Sequence, residues 1–163
     1  SMPCHYDDSP LNGHETEGLP LELRPGSPAK DAPIGLAGRR AWLLNQLGDR
    51  FTLLLDGRVD SARAETLRAE LEPLLARQTD LDLLIVGPAP HALAELSRST
   101  LIEDAEAQVG ERYGLTGGVG YLIRPDQHVC ARWRQVIAAD IETALDRALG
   151  RHLNAEEARH ATA

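Results

Sequence analysis

The residue best suited to nucleophilic chemistry in this sequence is Cys130. It lies in a predicted strand, on the face that it shares with His128 and Arg132, and cationic neighbours can lower a thiol pKa and make the thiol reactive. The other cysteine, Cys4, is far away in the sequence, so the spacing supplies no resolving thiol. Because a lone cysteine in a strand is usually a small packed hydrophobe, we predict that Cys130 belongs to the core. A one-cysteine thiol enzyme that uses Cys130 is the weaker alternative.

The other polar residues with catalytic potential lack partners at a useful spacing. His128 could be a general base, but the spacing places no Ser, Cys or carboxylate beside it, and its position in a turn favours a structural hydrogen bond. The acidic residues of the last predicted helix, Asp140, Glu142 and Asp146, are expected on its solvated face. The remaining histidines have no metal-ligand spacing: His5, His14, His91, His152 and His160. The sequence therefore predicts no catalytic residue and no metal site.

A glycine-rich segment, Gly114-x-x-Gly117-Gly118-x-Gly120, has the composition of a phosphate-binding loop. A dinucleotide fingerprint follows a strand and opens a helix. This segment instead follows a predicted helix and opens a predicted strand, so we expect a turn or bulge there. We predict that the chain itself binds no cofactor. We also predict a trans Gly118–Val119 peptide bond, because a non-proline cis bond is costly.

Composition and charge exclude several classes of protein. The chain has 163 residues, enough for one domain with a hydrophobic core. Its net charge of -8 is spread along the chain, which argues against nucleic acid and anionic membranes as partners, since both require clustered basic residues. No apolar run is long enough to span a bilayer. With two distant cysteines and no disulfide framework, a reducing cytoplasmic compartment is the simplest expectation.

The chain divides into three parts by composition. Residues 1–38 are rich in proline and glycine and predict an extended connector, anchored on a neighbouring surface by Leu19, Leu21 and Leu23. Residues 39–150 carry the periodic apolar patterns of a folded domain, and residues 151–163 predict a flexible tail. Ser1 and Met2 are typical of a tag junction, so we expect either a part of a longer protein or a short reading frame that begins at Met2.

Four apolar runs in the folded part predict strands, at residues 51–55, 81–86, 119–123 and 129–133. The last two are joined by a short polar segment in which Pro125 and Asp126 suit the central positions of a type I turn. These two strands are therefore predicted to form an antiparallel hairpin.

Apolar residues at helical spacing predict three helices. The first spans residues 61–78 with Asp60 or Ser61 as its N-cap, and Pro73 is expected to kink it or end it early. The second is predicted from a stripe between Ile102 and Tyr113 that Gly114 ends, and the third from a stripe over residues 137–148. The order of elements predicts an α/β fold, thioredoxin-like, with a four-stranded mixed sheet and helices on both faces.

Residues 113–123 carry a resemblance to the thioredoxins themselves. In that family a Tyr-Gly-Ile ending of a helix leads into a cis-proline and an apolar strand, and here Val119 falls at the position of that proline. The Cys-x-x-Cys of thioredoxin lies between the first strand and the first helix. This chain has Asp56-Gly57-Arg58-Val59-Asp60 there, with no sulfur. The resemblance therefore implies a thioredoxin-like domain that lacks both parts of the redox centre.

A second resemblance is carried by the hairpin at residues 121–134, with Arg124-Pro125-Asp126-Gln127-His128 at its turn. It is similar to a signature near the end of flavin-dependent aromatic hydroxylases of the phenol and hydroxyphenylpropionate hydroxylase type, which carry a thioredoxin-like C-terminal domain. Upstream, residues 6–11, 24–26 and 31–33 resemble the connector of that family, and residues 48–55 resemble a strand of it. The similarity runs in order from about Tyr6 to Leu149.

This resemblance implies a redox-inactive C-terminal domain of an FAD-dependent aromatic monooxygenase, with a structural or oligomerisation role. FAD and NAD(P)H would then be bound by a parent enzyme, and the partners of this chain would be its N-terminal flavin and substrate domains, or a second copy in a homodimer. The motifs that bind flavin in that family have no counterpart here, so no catalytic residue is carried over. A freestanding thioredoxin-like binding module is the alternative.

Overall fold

A seven-stranded mixed sheet runs through the molecule. The structure, a computed structural model, describes residues 18–150. In space the strands follow the order β2-β1-β5-β4-β3-β6-β7. Their bounds are Pro33–Leu36 for β1, Arg39–Trp42 for β2, Phe51–Asp56 for β3, Leu81–Gly87 for β4, Ser99–Glu103 for β5, Gly120–Ile123 for β6 and Val129–Trp133 for β7. The prediction of a four-stranded sheet is wrong in number, although β3, β4, β6 and β7 match the four predicted strands.

Within residues 18–150, four α-helices accompany the sheet: α1 Ser61–Arg77, α2 His91–Ala94, α3 Gln108–Tyr113 and α4 Ala138–Ala148. The Asp60 side chain accepts a hydrogen bond from the Arg63 backbone N–H, which confirms Asp60 as the N-cap of α1. The expectation that Pro73 ends this helix early is wrong, because α1 continues to Arg77. Gly114 ends α3 in the left-handed conformation, as predicted.

The pairing of the four predicted strands follows the expected pattern. β3 and β4 are parallel and are joined through α1, β6 lies antiparallel to β3 on the other side, and β7 continues the sheet as a hairpin partner of β6. β5 adds a second parallel neighbour to β4. The carboxyl ends of β3, β4 and β5 therefore meet at one edge of the sheet, together with the start of β6.

The predicted helix that begins at Ile102 is wrong over its first half. Residues 99–103 form β5, where Ile102 pairs with Val86 of the parallel strand β4. The chain then turns at Asp104, whose carboxylate accepts hydrogen bonds from the backbone N–H groups of Val109 and Gly110. A side chain that satisfies these donors fixes the start of α3, so Ile102 and Val109 belong to different elements although both are buried.

The segment predicted as an extended connector supplies a strand to the sheet. β1 pairs with β2 in a hairpin and reaches β5 through the pair Gly35 and Glu103. The two turn residues, Ala37 and Gly38, both have positive φ, as a type I′ hairpin turn requires. Ala37 is not one of the residues that usually mark such a turn, which is why the sequence did not reveal this hairpin.

Residues 18–32, here called the strap, lie against the sheet and bond to it. Gly26 donates its backbone N–H to the Val129 carbonyl, and Val129 donates in return to Ser27. The side chains of Arg112 and Tyr113 donate to carbonyl groups of the strap. The predicted anchors are confirmed for two residues, since Leu19 and Leu23 are buried, and wrong for Leu21, which is 75% exposed.

The two faces of the sheet are covered by different kinds of structure. One face packs against α1, α2 and α4, and we call this cluster the helix-side core. The other face packs against the strap, the 3-10 turn Leu43–Gln46 and the short α3, and we call this cluster the strap-side core. The prediction of helices on both faces therefore describes the first face well, whereas irregular chain covers most of the second.

Candidate functional site

The loop between β3 and α1 is the position at which thioredoxins carry their dithiol, and here an aspartate occupies it. Asp56, the last residue of β3, is completely buried. Its Oδ1 accepts hydrogen bonds from the Arg58 backbone N–H at 3.2 Å and from Arg58 Nε at 2.8 Å. Its Oδ2 accepts from Arg58 Nη2 at 3.1 Å and from the Gly117 backbone N–H at 2.6 Å. All four interactions stabilise a charged carboxylate.

Arg58 is bound side-on to this carboxylate and remains 35% exposed. The Asp56 carboxylate raises the pKa of Arg58 above its ordinary value, chiefly through the hydrogen bond between the two side chains. The charge of Asp104 raises this pKa by a smaller amount. Asp104 holds the start of α3 and lies beside Gly110, at which a Cβ atom would be 3.0 Å from Asp104 Oδ2 and 3.5 Å from Arg58 Nη2. Arg58 therefore links the end of β3 to the end of β5 by electrostatic attraction.

The glycine-rich segment lies against the same loop and forms a turn into β6. The Gly118 backbone N–H donates to the Asp56 carbonyl, and the Asp56 backbone N–H donates to the Val119 carbonyl. Gly117 has a φ of +77°, and a Cβ atom there would lie 2.8 Å from the Arg58 carbonyl oxygen, so only glycine fits. The cis peptide bond recorded among residues 18–150 is Gly87–Pro88, and Gly118–Val119 is trans, as predicted.

This arrangement holds the loop in place and supplies no nucleophile. Every hydrogen bond of Asp56 goes to a neighbouring group of the protein, and no sulfur lies between residues 56 and 61. Thiol–disulfide exchange requires a thiolate. The thioredoxin resemblance would place that thiolate between β3 and the start of α1. The sequence pointed to the missing sulfur, but the burial and the ion pair of Asp56 became evident only in the structure.

Cys130 is fully buried in the helix-side core, as predicted. The expectation that it shares a face with Arg132 is wrong, because the pairing of β6 and β7 shifts between Leu122 and Ile123. A β-bulge of this kind inserts one residue and breaks the alternation of a strand. Cys130 therefore points to the helix-side core, whereas Arg132 reaches Pro20 in the strap. The cationic neighbour that would lower the thiol pKa lies on the opposite face.

His128 is held by the hairpin turn in a structural role. Its Nδ1 lies 3.1 Å from the Asp126 carbonyl oxygen, and its backbone N–H donates to the Asp126 carboxylate. The expectation that no carboxylate lies beside His128 is wrong, because Asp126 Oδ1 is 3.4 Å from the same Nδ1. The Gln127 backbone N–H donates to the Arg124 carbonyl, which places Pro125 and Asp126 at the centre of the turn, as expected. His91 pairs with Glu95 on the surface, and the other histidines lie outside the described residues.

The acidic residues of α4 are less solvated than predicted. Glu142 accepts hydrogen bonds from Arg77 Nε and Nη2, each at 3.1 Å, and from Gln78 at 2.9 Å. Asp146 is 3.4 Å from the same glutamine side chain. These contacts join α4 to the end of α1. Within residues 18–150, no group of three or more His, Cys, Asp or Glu side chains is arranged to hold a metal ion.

Within residues 18–150, no helix is both long enough and apolar enough to cross a membrane. The fold and the site together define the class of protein as α/β and thioredoxin-like, with the usual sheet extended from four strands to seven. No protein-family model matches this sequence, and no curated protein matches it.

Comparison with solved structures finds similar proteins of several kinds. Among them are aklavinone-11 hydroxylase in a ternary complex with FAD and aklavinone, at 24% identity and a TM-score of 0.57, and the flavin-dependent monooxygenase PieE in complex with FAD and substrate, at 22% and 0.58. The likeness covers 78% and 77% of this chain but only 22% and 20% of those chains. This chain therefore spans about a fifth of each flavoprotein.

The similar structures also include separate proteins whose length is close to that of this chain. Thiol peroxidase from Chromobacterium violaceum is 16% identical with a TM-score of 0.60, and the likeness covers 78% of this chain and 89% of that chain. At these identities the likeness establishes the fold.

Proposed function

We propose that this chain is the redox-inactive, thioredoxin-like C-terminal domain of an FAD-dependent aromatic monooxygenase, and that its role there is structural. It supports the folding or subunit contacts of the parent enzyme in the cytoplasm, as a homodimer contact or by docking on the flavin and substrate domains. FAD and NAD(P)H are bound by those domains and not by this chain.

The main support for a redox-inactive domain is the ion pair of Asp56 and Arg58, which lies where thioredoxins have their dithiol. The carboxylate is buried and accepts hydrogen bonds from Arg58 and from the Gly117 backbone, so this position carries a structural ion pair and no thiolate. The assignment to a flavoprotein is supported by the signature in the hairpin around Pro125 and by the likeness to part of two FAD-containing monooxygenases.

A first test uses the purified chain. Flavin absorbance should be absent, and NAD(P)H should not be oxidised in the presence of phenols, because the loops between a strand and a following helix within residues 18–150 lack the glycine-rich sequence of a phosphate-binding loop. Flavin that co-purifies in stoichiometric amount would contradict the proposal.

A second test addresses the parent enzyme directly. The gene sequence immediately upstream of Met2 should continue in frame and encode flavin-binding motifs. The enzyme expressed with and without this domain should then bind FAD equally well in both forms, while the shortened form loses subunit contacts or melts at a lower temperature. A stop codon upstream, with a ribosome-binding site, would contradict the proposal.

A freestanding thioredoxin-like binding module is the second candidate. The observation in its favour is the length of the thiol peroxidase, since this chain covers 89% of that protein and such a fold exists there as a separate chain. The same reading of the upstream gene separates the two candidates.

A further inference from the structure

The strand β2 lies at one edge of the sheet. Among residues 18–150 its only neighbouring strand is β1, whereas the strap bonds to β7 at the opposite edge. An edge strand presents a row of backbone N–H and C=O groups that can pair with another strand. The β2 edge is therefore a place at which a further strand can be added.

The hydrogen bonds around β2 show which of its residues face outward. In an antiparallel pair, successive residues point their backbone groups alternately toward the neighbouring strand and away from it. The Leu43 N–H donates to the Ala32 carbonyl on the β1 side, whereas the Trp42 carbonyl accepts a hydrogen bond from the Gln46 side chain at 3.3 Å. By the same alternation, the N–H and C=O groups of Arg40 also point away from β1.

The side chains of the two outward-facing residues are chemically complementary. Arg40 and Trp42 lie two positions apart on one face of β2 and both are exposed, Trp42 at 41%. The Arg40 guanidinium lies over the Trp42 ring, 5.1 Å from its centroid, and Arg40 Nε donates to Glu106 at 3.1 Å. A cation over an aromatic ring is attracted to it, so the edge offers both partners of such a contact.

Two copies of β2 match each other when they run antiparallel about a two-fold axis at Ala41. Arg40 of each copy then lies opposite Trp42 of the other, and the outward backbone groups of these residues exchange hydrogen bonds. A register that set Arg40 opposite Arg40 would instead place like charges directly across the pair, which is destabilising. Because a two-fold axis brings the same surface of both copies together, an interface of this kind must be self-complementary, as this register is.

We propose that β2 is a dimerisation edge and that its partner is β2 of a second copy of this chain, with Arg40 opposite Trp42. The two sheets join into one continuous sheet. The paired strands are short, so the dimer is weak and depends on protein concentration. The inference goes beyond the proposed function, because it concerns this chain alone. A strictly monomeric chain would overturn it without affecting the assignment to a flavoprotein, and bound flavin would do the reverse.

The first test is disulfide trapping of Ala41→Cys in the complete chain, with Cys4 replaced by Ser. The two residues at the axis would have Cα atoms about 4.5 Å apart, which suits a disulfide. On mild oxidation we expect a covalent dimer that a reductant releases. Arg40→Cys is the matched control. Its position is more exposed than that of Ala41, but it lies opposite Trp42 of the other copy, so it should yield little covalent dimer.

Sedimentation equilibrium over a range of protein concentrations gives an independent measurement. Arg40→Pro removes an outward N–H that β1 does not use, a substitution that an edge strand tolerates. It should weaken the dimer roughly tenfold or more, because the two-fold axis doubles the loss of hydrogen bonds. Arg40→Ala keeps the N–H and should weaken it less. If Arg40→Pro does not fold, the trapping of Ala41→Cys still decides.

Two sets of results would overturn the proposal. A wild-type chain that stays monomeric, together with no covalent dimer from Ala41→Cys, would mean that the arginines protect this edge from pairing. Equal cross-linking of Ala41→Cys and Arg40→Cys, or a dimer that Arg40→Pro leaves unchanged, would place the contact in another register or on another surface. Cross-linking confined to Ala41→Cys would support a weak dimer even where sedimentation detects only monomer.

Discussion

Two aspartate–arginine pairs in this protein have the same separation in sequence and very different surroundings. Asp56 and Arg58 meet at the buried end of β3, where the aspartate side chain has no exposure. Asp126 and Arg124 meet in the hairpin turn, where the aspartate side chain is 52% exposed. Both aspartates also accept a backbone N–H. They therefore compare a buried aspartate with an exposed one, although the arginine is 35% exposed in the first pair and 11% exposed in the second.

Replacement of Asp56 by Asn should destabilise the protein far more than replacement of Asp126 by Asn. The first change leaves Arg58 without its buried counterion, and we expect a loss of about 2–3 kcal/mol, reduced from the value for a fully buried pair because Arg58 is partly exposed. The second change should cost under about 1 kcal/mol. Urea unfolding of the two variants measures both. Equal losses in the free energy of unfolding would mean that Asp56 does not stabilise this loop more than Asp126 stabilises the hairpin turn.

Alkaline pH should destabilise the fold through two tyrosines of the strap-side core. Burial raises the pKa of Tyr121 to about 12 from an ordinary value of 10.0, partly opposed by the nearby Arg132, and burial raises the pKa of Tyr113 further. A raised pKa means that the folded state favours the neutral phenol. The stability that this provides is complete below pH 10 and is lost as the pH rises from 10 to about 12 for Tyr121, and over a range that extends higher for Tyr113.

The measurement is urea unfolding at pH 9 and pH 11, with phenolate absorbance recorded in the folded protein. We expect a loss of about 2 kcal/mol between these values for the wild-type chain. Tyr121→Phe should show a smaller loss over the same interval. An identical loss in that variant would assign the alkaline transition to other groups.

At the scale of elements, the strap shows which parts of the fold the sequence could predict. Leu19, Leu21 and Leu23 occupy every second position, so in an extended segment their side chains would share one face. The sequence therefore predicted all three as anchors. The structure instead forms the 3-10 turn Leu21–Leu23, which turns Leu21 to solvent and Leu23 into the strap-side core. A single turn of helix changes which side chains share a face, and a three-residue turn leaves no periodicity to detect.

The strap therefore offers a matched pair of variants within one turn. Leu23→Ala should cost about 2–5 kcal/mol, since the side chain is completely buried and its removal leaves a cavity. Leu21→Ala should change stability by under about 0.5 kcal/mol because that side chain lies in water. Urea unfolding compares them. If Leu23→Ala were also neutral, the strap would be a passive tether and not part of the core.

Some features of the candidate site could likewise be predicted from the sequence, and others could not. The absence of sulfur at residues 56–60 could be predicted, because the order of strand and helix in the sequence locates the loop that holds the dithiol in thioredoxins. The ion pair was not, because Arg58 is only two residues from Asp56 and nothing in the sequence distinguishes a buried pair from an exposed one. The bulge at Cys130 was also hidden, since strict alternation placed Arg132 on the same face as the thiol.

Cys130 should consequently be inert in the folded protein. In a Cys4→Ser background, a thiol reagent such as Ellman's reagent should label Cys130 only as fast as the protein unfolds, because the side chain is completely buried. Labelling should become rapid in urea. Fast labelling of the folded chain would revive the alternative of a one-cysteine enzyme.

At the scale of the whole molecule, the thioredoxin-like sheet extends beyond β4 on one edge and is stabilised by ionic contacts and by the strap. β5, β1 and β2 enlarge the sheet beside β4, while the strap ties the second face to the β6–β7 hairpin. Asp56 and Gly117 join the two loops that would border a dithiol. At the loop where the thioredoxin resemblance would place a dithiol, this chain carries a buried ion pair.

The complete chain should therefore fail as a thiol enzyme even when reductant is abundant. With dithiothreitol as the electron source, it should reduce insulin disulfides, and hydrogen peroxide, no faster than the uncatalysed controls. Both reactions require an accessible thiolate, which the loop from Asp56 to Asp60 lacks and the burial of Cys130 prevents. Thioredoxin and a thiol peroxidase serve as positive controls under the same conditions. Turnover that disappears in Cys130→Ser would contradict the assignment, because it would require the core around β7 to open and expose the thiol during catalysis.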